Sequence, residues 1–126
     1  ALVDAGLAPE AITHINAHGT STPANDLSEG EAIVKVFGTA GPAVTSIKGI
    51  TGHSLGAAGA IEAVASVLTI ERELIPQTVG CDELDPEMSI DLVMGEPRAW
   101  TPGPIISNSF GFGGHNGCLI VGPYVG

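Results

Sequence analysis

The stretch VTSIKGITGHSLGAAG, residues 44–59, decides the fold of this chain. Residues 44–47 predict a short strand, and residues 48–53 predict a glycine-rich turn. Ser54 stands where it could cap a long helix that runs to about Arg72. Because apolar and small residues occupy almost every face of that helix, we expect it to be buried. A strand, a turn and a buried helix in succession indicate a layered α/β fold.

The residues before this stretch repeat the same order of elements. Residues 12–17 form an apolar run that predicts a strand, and the strand ends at His18. Asp26 is the expected cap of a helix, with Glu29 three positions later as a capping box and Gly38 as its end. Ligands of α/β proteins bind at the carboxyl ends of strands. We therefore expect His18 and residues 48–53 to meet there.

The residues after the long helix predict a loop and then more strands. Residues 76–86 are loop-like, and residues 92–94, 105–109 and 119–121 predict three short strands. The last two are joined through Phe110-Gly111-Phe112-Gly113-Gly114, so we expect a closing hairpin.

Charge and composition exclude several functions. The 126 residues carry a net charge of −10 with 4 Lys and Arg, which argues against nucleic acid and against anionic membrane surfaces. The apolar stretch 55–70 is too short to span a bilayer. Cys81 and Cys118 are too few and too far apart for a disulfide framework, which favours a reduced, cytoplasmic protein. Residues 1–6 read as the end of a helix without an initiating Met, so we expect a fragment.

Two histidines are the main candidates for chemistry. A neutral imidazole at His18 or His53 could donate a hydrogen bond to an oxygen that gains negative charge. We place His53 at a helix start, where the positive helix end disfavours a protonated ring. At both positions the alternative is a structural histidine with no chemistry. His14 and His115 are interpreted as surface or structural residues.

Charged and aromatic residues complete the candidate site. Lys48 follows an apolar strand, and Glu62 is the acidic residue of an otherwise apolar helix segment, so Glu62 could be the counter-ion of Lys48. The alternative is that each of the two is a solvent-exposed surface charge. Phe110 and Phe112 could wall a channel or fill a core, and the Phe112 amide could donate to an oxyanion.

Taken together, the segments 17–23, 48–59 and 108–116 resemble the elongating β-ketoacyl-acyl carrier protein synthases of fatty-acid synthesis and, less closely, polyketide ketosynthases. The resemblance implies a thiolase-like layered α/β fold. It implies that residues 1–126 form the C-terminal half of that fold, with a mixed five-stranded sheet and helices. The N-terminal half, which carries the family's nucleophilic cysteine, is absent; neither Cys81 nor Cys118 has the expected context.

The resemblance also implies the reaction. An acyl group is transferred to the cysteine, malonyl-acyl carrier protein is decarboxylated, and the resulting carbanion attacks the acyl thioester to give 3-oxoacyl-acyl carrier protein. The implied partners are acyl carrier protein, the N-terminal half and, in the full-length form, a second copy in a homodimer. No cofactor is implied beyond the phosphopantetheine that carries the substrate and a monovalent cation, Na⁺ or K⁺.

Roles follow by position within that resemblance. His18 and His53 match the pair that steadies the malonyl thioester oxygen, and Lys48 with Glu62 matches the supporting charged pair. Phe112 matches an oxyanion donor and gate. The implied substrate contacts are Thr20, Thr22, Phe110 and Gly111, and the implied cation neighbours are Asn16, Glu62 and Asn108.

Three alternatives remain open on the sequence. Gly52-His53-Ser54-Leu55-Gly56 fits the nucleophile elbow of α/β-hydrolases, with Ser54 as nucleophile and Asp91 and His115 following in the right order. A zinc site could be built from histidines 18, 53 and 115 and the two cysteines, although no pair has local ligand spacing. The chain could also be a truncated or noncatalytic ketosynthase-like partner module.

Overall fold

The structure, a computed structural model, describes residues 1–124 and residue 126. The helices are α1 (Leu2–Ala5), α2 (Pro23–Phe37), α3 (Lys48–Thr51) and α4 (Ala58–Arg72). The strands are β1 (His14–Asn16), β2 (Ala43–Thr45), β3 (Leu74–Ile75), β4 (Asp91–Leu92), β5 (Arg98–Ala99), β6 (Ile105–Phe110) and β7 (Asn116–Val121). Of the helices described, none combines the length and hydropathy that a bilayer span requires.

A mixed sheet organises the described residues and confirms the predicted α/β class. Its order is β4-β2-β1-β6-β7, with the first four strands parallel and β7 antiparallel to β6. The closing hairpin of β6 and β7 is therefore confirmed. Strands β3 and β5 form a separate two-stranded ribbon, which the sequence analysis missed because two-residue strands carry no readable periodicity.

One face of the sheet carries an apolar core under α2. Ile15, Val44 and Ile106 stand in register across β1, β2 and β6 and pack against Ile33 of α2. All four side chains are at most 5% exposed. Full burial of such a side chain contributes about 1.5–3 kcal/mol, so this cluster stabilises the packing of α2 against the three central strands.

The opposite face of the sheet lies under α4 and carries polar side chains together with the buried Ala43 and Ile105. Asn16 and Ser107 are register partners, and the Asn16 amide donates to the Ser107 hydroxyl at 3.1 Å. Gly59 of α4 approaches Ser109, which shares that face because side chains alternate along a strand. The buried residues of α4 are Ala58, Glu62, Ser66 and Thr69. The central helix thus buries small and polar side chains against the sheet.

The expectation that the long helix is buried all round is wrong for this chain. Its apolar side chains point away from the sheet: Ile61, Val64, Val67 and Leu68, with Leu55 of the preceding 3-10 turn, are 37–69% exposed. We call these five residues the apolar α4 face. Such a contiguous apolar patch usually marks an interaction surface.

Both predicted helix caps are also wrong. Helix α2 begins at Pro23 with Thr22 at its N-cap, because proline suits the first helical position, and Asp26 falls inside the first turn. Glu29 is therefore free for another role, described below. Ser54 makes no capping bond; a 3-10 turn at Leu55–Ala57 separates it from α4.

His14 was interpreted as a surface or structural residue, and the structure shows that it is structural and buried. It is 1% exposed and packs edge-on against Trp100, with ring centroids 6.1 Å apart. Burial lowers its pKa from 6.5 to about 4, because a charged imidazole is disfavoured where water is excluded.

We expect His14 to make stability fall in acid. Between pH 6.5 and 4 the unfolded chain binds a proton that the folded chain does not, so the free energy of unfolding decreases by roughly 3 kcal/mol across that window. Below about pH 4 both states are protonated and the loss ends. Urea unfolding between pH 7.5 and 4 measures this, and His14→Leu should flatten the curve by that amount. An unchanged slope in the variant would contradict the assignment.

Candidate active site

The candidate site lies where β1, β2 and β6 end at one edge of the sheet. His18 follows β1 by two residues, and Lys48 follows β2 after two further residues. Phe110 is the last residue of β6. Because these three strands are adjacent and parallel, their carboxyl ends meet, and the segments that the sequence analysis singled out are brought together.

The rings of His18 and His53 stand close together. Their centroids are 5.4 Å apart, and the ring planes are nearly perpendicular at 86°. His18 is buried and also faces Phe110 at 5.5 Å, whereas His53 is exposed. Two imidazoles at this spacing can both form a hydrogen bond with one small group placed between them.

His53 is held by its local turn and by no helix end. The prediction that His53 lies at the start of the long helix is wrong, because α4 begins five residues later at Ala58. The electrostatic effect of a helix end falls off within one turn, so it does not explain a neutral His53. Instead, the Nδ1 atom of His53 accepts the Leu55 N–H at 3.2 Å. Leu55 has a φ of 51°, in the left-handed region. A neutral His53 therefore carries its proton on Nε2, which becomes the donor.

The environment of His18 favours its neutral form. Burial lowers the pKa of His18, and the positive charge of Lys48 lowers it further; Glu29 and Glu62 act in the opposite direction but are outweighed. At neutral pH the ring is an uncharged hydrogen-bond donor. Its Nδ1 atom is buried and has no hydrogen-bond partner among residues 1–124 and 126.

The predicted ion pair between Lys48 and Glu62 is present. The Lys48 ammonium contacts the Glu62 carboxylate, and the two side chains are 5% and 2% exposed. This pair ties α3, which carries the turn before His53, to the buried face of α4. The second oxygen of Glu62 is also buried.

Glu29 is a site residue that the sequence analysis missed. It is 4% exposed, and its two carboxylate oxygens accept the N–H groups of His18 and Gly19, each at 2.9 Å. It also accepts a hydrogen bond from the Asn108 amide at 3.1 Å. A carboxylate that holds two consecutive amides fixes the backbone that carries His18. The sequence did not reveal this role, because Glu29 lies three residues after Asp26 and was interpreted as its capping-box partner.

The hairpin loop places its two phenylalanines differently. Phe110 lies against His18, but Phe112 is 94% exposed at the loop tip, so only Phe110 touches the histidine pair in this conformation. The Gly111 N–H donates to the His115 carbonyl at 2.7 Å and closes the loop. Gly113, with a φ of 79°, occupies backbone space that other residues rarely enter.

Thr20 lines a cavity, and Thr22 lies beside it in the same loop. Their hydroxyls lie 2.9 Å apart within hydrogen-bonding distance of each other. The cavity has a volume of about 550 Å³ and extends from Thr20 and His53 to the loop around Cys81. Its size suits an extended small-molecule segment.

The implied cation neighbours do not converge. Asn16 and Asn108 lie on opposite faces of the sheet, because Asn108 is one residue beyond the register partner of Asn16. Each amide is already bonded, Asn16 to Ser107 and Asn108 to Glu29, and Glu62 is paired with Lys48. These three side chains do not fit a common ion. Within the described residues there is likewise no cluster of three His, Cys, Asp or Glu suited to a metal, which removes the zinc alternative.

The hydrolase alternative also fails on geometry. A nucleophile elbow needs the serine at the immediate end of a strand. Here β2 ends at Thr45, and α3 intervenes before Ser54, whose hydroxyl is buried.

Comparison with known proteins gives a matching family model and several similar sequences. The family "Beta-ketoacyl synthase, C-terminal domain" matches residues 1–82. The chain is similar to a 3-oxoacyl-[acyl-carrier-protein] synthase 2 from Synechocystis, at 49% identity over 98% of this chain and 30% of the relative. It thus spans about 30% of the length of the curated relatives it matches.

Solved structures agree with the sequence matches. The ishigamide ketosynthase/chain length factor superposes with a TM-score of 0.95 at 43% identity, over 99% of this chain and 31% of that one. A type II PKS acyl-carrier protein in complex with its ketosynthase superposes with a TM-score of 0.92 at 33% identity, over 99% and 31% of the two chains. The thiolase-like fold expected from the sequence is confirmed.

Proposed function

Because the chain belongs to the β-ketoacyl synthase family and matches its C-terminal domain, we propose that it supplies the histidine half of a condensing active site. The whole protein would join an acyl thioester to a malonyl unit held on acyl carrier protein and form 3-oxoacyl-acyl carrier protein. The observation that carries the proposal is the pair of imidazoles 5.4 Å apart beside a buried lysine–glutamate pair.

The chemistry of decarboxylation suits this arrangement. When the bond between the malonyl carboxylate and its α-carbon breaks, CO₂ leaves and the electron pair passes into an enolate. Negative charge then develops on the thioester oxygen. Hydrogen-bond donors at His18 and His53 would stabilise that charge without a proton transfer. The enolate carbon next attacks the acyl thioester carbonyl, and the cysteine thiolate departs.

The remaining site residues have roles consistent with this reaction. Lys48, paired with Glu62, holds the turn before His53 and helps to keep His18 neutral. Thr20, which lines the cavity, and the neighbouring Thr22 would contact the pantetheine arm. The Phe112 amide would donate to the oxyanion of the acyl carbonyl, which requires the exposed loop tip to move inward from the conformation described.

Two partners follow from the proposal. One is acyl carrier protein, which is in complex with the ketosynthase in a solved structure similar to this chain. The other is the N-terminal half of the fold, which would contribute the nucleophilic cysteine and cover the apolar α4 face. We propose in addition a homodimer of the full-length form, a cytoplasmic location, and no cofactor beyond the phosphopantetheine of the carrier.

The test uses a polypeptide that contains both halves. Supplied with acyl-acyl carrier protein and malonyl-acyl carrier protein, it is expected to release one CO₂ for each 3-oxoacyl product, as followed by mass spectrometry of the carrier. The 126-residue chain alone should form no product, because the proposed nucleophile is not among its residues. Acyl loading without any release of CO₂ would instead support the noncatalytic partner module.

A further inference from the structure

Ser46 stands between the two segments that carry the histidines. Its hydroxyl donates to the Gly19 carbonyl at 2.9 Å, one residue after His18. The same oxygen accepts the Lys48 N–H at 3.4 Å, at the start of the segment that leads to His53. One buried hydroxyl, on a residue 6% exposed, thus spans both segments.

The contact between Ser46 and Gly19 is closely packed. A β-carbon added at Gly19 would lie 2.5 Å from the Ser46 β-carbon and 2.7 Å from its hydroxyl. Gly19 also has a φ of 42°, so the backbone there is shaped to meet Ser46. The two segments consequently have little freedom to slide past each other while the hydrogen bond is formed.

Ser46 is itself fixed from a third side. Its N–H donates to the Thr78 hydroxyl at 3.3 Å, and it directly follows β2. Glu29 holds the His18 backbone, but no contact described for Glu29 reaches the segment of His53. The Ala17 N–H also donates to the Thr45 carbonyl at 2.7 Å, so the two strand ends are joined by their backbones, and Ser46 extends that link to the His18 loop and the Lys48 N–H.

We propose that Ser46 is a positioning residue that sets the relative placement of His18 and His53. This inference rests on the proposed function. The hydroxyl touches no reacting atom; it acts through the Gly19 carbonyl and the Lys48 amide. Two donors that serve one oxygen must both point at it, and a misplacement of about 1 Å can cost about 100-fold in rate.

The experiment compares hydroxyl removal at two buried sites in the two-half polypeptide. Ser46→Ala should lower kcat for CO₂ release from malonyl-acyl carrier protein by roughly tenfold to a hundredfold. Acyl loading of the cysteine and KM for malonyl-acyl carrier protein should change little, because neither depends on convergence of the two rings. Ser46→Cys, which keeps a weaker donor, should recover part of the rate.

Thr69→Val is the matched control, because it removes a buried hydroxyl that bonds within α4 to the Ala65 carbonyl. It should leave CO₂ release unchanged. Equal loss of loading and of CO₂ release in both Ser46 variants would show a structural role and overturn the inference. Wild-type CO₂ release in Ser46→Ala would overturn it too. If His53→Ala releases CO₂ normally, the proposed function itself fails. This result distinguishes a failure of the proposed function from a failure of the inference about Ser46.

Discussion

Replacing His53 by alanine in the two-half polypeptide is expected to lower the rate of malonyl decarboxylation by at least about 10²–10³-fold. The variant removes the Nε2 donor that the Leu55 N–H orients by occupying Nδ1. Alanine leaves the thioester oxygen with one imidazole where two are proposed. Release of CO₂ from malonyl-acyl carrier protein measures the loss directly.

Acyl loading provides the internal reference for this prediction. Transfer of the acyl group to the cysteine needs no charge on the malonyl oxygen, so loading should persist in His53→Ala. His115→Ala, at an exposed histidine of the hairpin loop, is the matched control and should retain decarboxylation. Normal turnover in His53→Ala would refute the proposed role of the pair.

His18→Ala should reduce decarboxylation to a similar extent, and the double variant should be only slightly worse than either single one. Residues that act as a unit show such non-additive losses. The 5.4 Å separation of the rings is what makes a single shared oxygen feasible.

The second large effect concerns stability. Lys48→Met should lower the free energy of unfolding by about 3–5 kcal/mol, because it leaves the Glu62 carboxylate buried without its counter-charge. Both side chains of the pair are at most 5% exposed, so water cannot replace the missing partner. Urea unfolding of the two-half polypeptide at pH 7 measures the change.

Two further variants distinguish a buried ion pair from a solvent-exposed ion pair. Lys48→Met combined with Glu62→Leu should recover much of the lost stability, since replacing both members of a buried pair by apolar groups is often nearly neutral. The control is Arg98→Met, which breaks the exposed Arg98–Asp91 pair and should cost less than about 1 kcal/mol. If Lys48→Met and Arg98→Met cost the same, Lys48 and Glu62 are not a desolvated pair.

The local sequence pattern was sufficient for the elements and for several members of the site. Apolar runs that end in turn residues predicted the strands of the main sheet, because strand and turn propensities act over a few neighbouring residues. Lys48 and Glu62 could be paired from the sequence because a lone charge in an apolar helix needs a counter-ion. His18 and His53 could be brought together because strand ends share one edge of a sheet.

Only the tertiary structure showed which face of a helix or strand each side chain lies on and which residues are in register across the sheet. Glu29 read as a capping residue but turns inward to hold two amides at His18. The family resemblance implied that Asn16 and Asn108 share a cation site, but their side chains lie on opposite faces of the sheet. The apolar side chains of α4 point outward, and Ser46 links two segments 27 residues apart. Such contacts join residues distant in sequence, so local propensity carries no information about them.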